Sequence, residues 1–87
     1  MTPNIDPDDL TLSNHAMNRV KERNITAYQI KQAIRDGEPD GGAKKPHQIR
    51  FRDTYPGADL LVLVDPRKNK IVSVYYDDEQ GAVGGSL

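Results

Sequence analysis

The sequence predicts an α+β domain, with two N-terminal helices packed on a three- to four-stranded, mostly antiparallel sheet. Three observations predict it. Apolar residues recur at helical spacing between about residues 14 and 36. From residue 47 they alternate or form short runs, the pattern of strands. Between these halves lies GEPDGGAKKP, residues 37–46, a loop by composition.

The chain has 87 residues, enough for one domain with a modest core. Residues 1–9 are expected to be a flexible leader, 10–77 the domain and 78–87 a disordered tail. Leu10 to Leu12 can add an edge strand. Ser13 suits a helix N-cap, because its hydroxyl can accept from the free N–H groups of the first turn. The first helix is expected over Asn14 to Arg23, with Ala16, Met17 and Val20 as its apolar stripe. Asn24 tolerates the left-handed conformation that ends helices. Thr26 caps a second helix over Ala27 to Asp36, whose stripe is Ala27, Ile30, Ala33 and Ile34. Gly37 is its stop signal.

Three strands follow. His47 to Tyr55 places Ile49 and Phe51 on one face and Arg50 and Arg52 on the other. Leu60 to Asp65 is apolar on both faces and so central. Pro66 to Asn69 is a tight turn into a last strand, Lys70 to Asp77. There Val72, Val74 and Tyr76 are assigned to the core, and Ile71, Ser73 and Tyr75 to the opposite face.

Cysteine is absent, which excludes disulfides, thiolate nucleophiles and cysteine metal sites. The start, MTPNIDPDDL, is unlike a signal peptide, and the apolar run Leu60 to Val64 is too short to cross a bilayer. A cytoplasmic, membrane-free setting is the expectation. No cofactor and no metal is expected: the two histidines are far apart in sequence, and no phosphate-loop or dinucleotide motif occurs. Net charge is -1, but it is unevenly spread. Residues 14–52 carry nine Lys/Arg against four Asp/Glu, between acidic ends. Such a basic middle suits a phosphate-facing patch, and equally an ordinary solvated surface.

Two groups of residues carry candidate chemistry. Arg50, Arg52 and Tyr75 lie on the sheet face that the helices do not need, beside Leu61 and Leu63. Such a face could hold an RNA backbone and a stacked base. His15, Arg19 and Arg23 recur every four residues and border the apolar stripe of the first helix. The helix dipole and Arg19 favour a neutral imidazole at His15, which can act as a general base. The arginines can stabilise developing negative charge.

The pattern Ser13, His15-Ala16, Arg19, Arg23, then Ile25, with Val72-Ser73-Val74-Tyr75 near the end, resembles the domain-of-unknown-function-4258 family. The order of elements agrees over about residues 10–77. Asn24 stands where that family usually has glycine, and both allow the same helix-ending conformation. The family is grouped by remote similarity with RelE-like and colicin-like RNase toxins. What the resemblance implies is a RelE-like domain whose sheet face cuts RNA without metal, through attack of the ribose 2′-OH on the adjacent phosphate. His15 would then be base or acid, Arg19 and Arg23 phosphate stabilisers, and Tyr75 an acid or a base-stacking residue. Arg50 and Arg52 come from strand alternation alone. The pI of about 6.0 departs from the usual basic character of RelE-type toxins.

The leading expectation is therefore a metal-independent endoribonuclease of toxin type, with RNA and a protein antitoxin as partners. A non-catalytic RNA- or protein-binding module is the alternative, as is an antitoxin-like or phage-encoded regulator.

Overall fold

The computed structural model describes residues 7–43 and 45–77. After a single 3-10 turn, Pro7–Asp9, come β1 (Thr11–Leu12), α1 (Asn14–Arg23) and α2 (Ala27–Asp36). Then follow β2 (Glu38–Pro39), β3 (Ile49–Asp53), β4 (Leu60–Asp65) and β5 (Lys70–Tyr76). The strands form one sheet in the order β1-β5-β4-β3-β2. All pairs are antiparallel except β1 with β5. The fold is thus α+β with a five-stranded sheet, and the three- to four-stranded expectation is one strand short. The extra strand is β2, inside the segment read as loop. Glu38 and Pro39 pair with Arg52 and Phe51.

Capping residues set the helix ends. Ser13 is extended, and its Oγ accepts from the Ala16 N–H at 3.0 Å. The same hydroxyl donates to the Val72 carbonyl at 2.8 Å, which ties the start of α1 to β5. Asn24 ends α1 at φ 54°, in the left-handed region. Thr26 and Gln29 form a reciprocal capping box at the start of α2. The four signals act within one turn of the chain, so both helices have the bounds expected from sequence.

Gly37 ends α2 for a different reason from the one expected. Its φ is -74°, which any residue can adopt. A Cβ there would collide with the carbonyl oxygens of Ala33 and Arg52. Glycine is needed because α2 closes down directly on β3.

The helices cover one sheet face. Ala16, Ile25, Ile30, Ala33 and Ile34 pack there on Phe51, Leu60, Val62, Val64, Ile71 and Val74. Val20 and Tyr76 pack against this cluster, whereas Met17, assigned to the stripe, is exposed. Met17 lies one residue past Ala16, so the helix turns it away from the sheet. Ile71 is also corrected. It is buried in the core, and Val72 is only half-buried. A bulge is responsible: Ser73 pairs with Leu63 and Ile71 with Val64, leaving Val72 as an extra residue.

In the segment expected as leader, residues 7–9 form the 3-10 turn, and Asp8 pairs with Lys31 at 3.0 Å and Arg35 at 3.5 Å. The rest of that segment and the expected tail, 78–87, lie outside the described residues. No helix among the described residues is long and apolar enough to cross a membrane.

Candidate functional site

Alternation along β3, β4 and β5 sends Arg50, Arg52, Leu61, Leu63, Ser73 and Tyr75 to the face opposite the helices. The register puts Arg52, Leu61 and Tyr75 in one row across the sheet. Arg50, Leu63 and Ser73 form the next row. Leu61 is fully buried and Leu63 half-buried, so the rows have an apolar floor.

A polar network spans this floor. Arg50 gives Nε and Nη2 to the Asp40 carboxylate at 2.8–3.1 Å. Its Nη1 donates to the Tyr75 hydroxyl at 3.1 Å. Arg52 donates Nε to the same Asp40 at 3.1 Å. Its Nη1 reaches Asp59 at 2.6 Å and Asp77 at 3.2 Å. Asp40 also accepts from the Gly42 N–H at 2.9 Å. A Cβ on Gly42 would run into the Arg50 guanidinium, so the loop presses on that side chain.

The electrostatics follow from these contacts. Hydrogen bonding from Arg50 holds the Asp40 carboxyl down at about 2, with the Gly42 N–H and Arg52 adding to it against the opposing effect of burial. The Arg50 guanidinium is held more firmly protonated, chiefly by Asp40, and Arg52 likewise, chiefly by Asp59 and then Asp77. Two arginines thus meet three aspartates. Beside them, between the end of α2 and β3, runs a shallow groove of about 360 Å³. Asp36, Glu38, Asp40 and Asp53 line it, with Arg52.

The helix residues lie elsewhere. α1 rests over β5 and β1 on the face that carries Val74 and Tyr76. His15 is exposed, and Arg19 pairs with Glu22 at 3.2 Å. The Arg23 guanidinium lies 5.4 Å from the centroid of the Tyr76 ring, a cation–π contact. Tyr76 and Tyr75 are neighbours in sequence on opposite faces of β5. The structure therefore brings Arg50, Arg52 and Tyr75 together and keeps His15, Arg19 and Arg23 as a separate group across the sheet.

Sequence reasoning missed Asp40, Asp59 and Asp77. Only the β2–β3 register delivers Asp40 to Arg50, and the bond from the Asp77 N–H to the Asp59 carbonyl joins the other two. The one local signal was Asp40-Gly41-Gly42, a sequence in which an aspartate turns back on a following N–H.

Comparison with curated proteins and with solved structures gives no match. The pattern Ser13, His15, Arg19, Arg23 at the helix start and Val72 to Tyr75 on β5 falls inside the stretch that a family model matches. Residues 12–83 fit the family described as Domain of unknown function (DUF4258), and the chain belongs to that family.

Proposed function

We propose that this domain is a small, metal-independent endoribonuclease of toxin type with a RelE-like fold. It acts on RNA in the cytoplasm, where a protein antitoxin would hold it in check. The observation that carries this reading is the Arg50–Tyr75 hydrogen bond on an open sheet face. A guanidinium fixed from behind by a carboxylate costs no reorganisation when a phosphate gains charge. A phenol beside it can donate a proton to a leaving oxygen or stack on a base. His15, Arg19 and Arg23 form the competing centre on α1.

The location of the two groups on opposite sides of the sheet makes the test decisive. RNA cleavage is measured with excess chelator for wild type, Tyr75→Phe and His15→Ala. Loss in Tyr75→Phe alone assigns the open face, and loss in His15→Ala alone assigns α1. Equal activity in all three sinks the catalytic reading.

A second reading is a non-catalytic RNA-binding module. The three carboxylates around Arg50 and Arg52 favour it over catalysis, because they already neutralise the cations that would have to stabilise a charged phosphorane on the open face. Binding without cleavage, weakening steeply with salt, would support it.

A further inference from the structure

Six of the eleven described lysines and arginines already have acidic or aromatic partners, and Lys21 stands by itself on α1. Arg19 meets Glu22, Lys31 and Arg35 meet Asp8, and Arg50 and Arg52 meet the aspartates of the open face. Arg23 lies on Tyr76. One end of the sheet differs. The β4–β5 turn, Pro66-Arg67-Lys68-Asn69, leads into Lys70, and these three cations are exposed with no ion pair among the described residues.

The start of β3 brings two more groups to the same end. His47 Nε2 lies 3.6 Å from Asp65 Oδ2. Asp65 is buried, pairs with Lys70 across the hairpin and accepts from the Arg67 N–H at 3.0 Å. Lys45, exposed and also without an ion pair, closes the turn before His47 through the bond from the Gln48 N–H to its carbonyl. Four lysines and arginines thus lie at the same end of the sheet as one half-exposed histidine, and the acid that His47 meets, Asp65, is covered. Asp65 also belongs to the face that carries Leu63, whose partner across the sheet is Arg50. The cationic end is continuous with the open face.

We propose that this end, built from Lys45, His47, Arg67, Lys68 and Lys70, binds the phosphodiester backbone of RNA and leads it onto the open face. This rests on the RNA reading above and adds where the strand is held. Backbone binding calls for exposed cations that no protein carboxylate has claimed, and the open face itself does not offer them. Block sums of charge hid the feature: residues 53–87 total -3, although their three cations all fall within four positions.

The test is fluorescence anisotropy with a short single-stranded RNA at several salt concentrations. Arg67→Gln/Lys68→Gln changes only exposed turn side chains, and an unchanged thermal midpoint verifies its fold. Binding should weaken about tenfold, and the slope of log affinity against log salt should fall by about 1.4. Lys21→Gln on α1 should bind as wild type does. Unchanged affinity and slope in the turn variant would overturn the assignment. So would a wild type that binds polyglutamate but not RNA. Turnover plays no part in the readout, so failure of cleavage and failure of this assignment are separate results.

Discussion

Arg50 Nη1 lies 3.1 Å from the Tyr75 hydroxyl, while Asp40 holds the other side of the same guanidinium. The contact joins β3 to β5 across β4, so neither partner is free to choose another rotamer. Tyr75→Phe removes the hydroxyl and keeps the ring. Stability should fall by about 1.5–3 kcal/mol in urea unfolding, the worth of one hydrogen bond to a charged donor. If Tyr75 serves the open-face chemistry as proposed, cleavage should fall about 100-fold or more.

Asp40 predicts a pH dependence. Its folded-state pKa lies at about 2, below the ordinary 3.8, so the native protein favours the ionised form. Its contribution is fully present above the ordinary value and is lost as pH falls through about 2. The shift corresponds to on the order of 2 kcal/mol, a ceiling for a group that keeps some exposure. In Asp40→Asn that portion of the acid loss should vanish. Chemical unfolding of both proteins at pH 6 and pH 2 checks this: the stability gap should be large at pH 6 and narrow at pH 2.

Gly37 separates close approach from backbone freedom. Gly37→Ala should cost about 1–3 kcal/mol, because the new methyl meets two carbonyl oxygens, neither of which can give way without moving α2 off β3. A drop in the thermal midpoint should be seen, with far-ultraviolet circular dichroism at low temperature nearly unchanged.

Asn24 predicts the reverse ordering. At φ 54° an alanine should cost about 1 kcal/mol, while Asn24→Gly should be close to neutral. Equal loss in both variants, read by urea unfolding, would mean that the side chain rather than the backbone conformation matters there.

What the sequence revealed divides by distance along the chain. Ser13, Asn24 and Thr26 act within one helical turn, and α1 and α2 have the bounds their signals imply. β4 is a run of six residues that only a central strand can bury on both faces, and it too was legible. β2 was not, because two residues have no periodicity and exist as a strand only by pairing with Arg52 and Phe51. Arg50, Arg52 and Tyr75 were correctly assigned to one face by alternation. Their neutralisation by Asp40, Asp59 and Asp77 was invisible, since it depends on register between segments separated by loops. The distance of the α1 residues from that face was likewise unreadable until the packing side of α1 was known.

Val72 has a consequence of parity. In a regular strand, residues an even number of positions apart share a face, so Ile71 and Tyr75 would point the same way. The extra residue breaks that count once, and Ile71 enters the core while Tyr75 stays outside. The hairpin turn and the far half of β5 are therefore out of phase by design of length, whatever the side chain at position 72. Substituting Val72 should be tolerated. Deleting it would leave Ile71 and Tyr75 three positions apart, which a regular strand sends to opposite faces, so the bulge should close with Ile71 still buried and Tyr75 still beside Arg50.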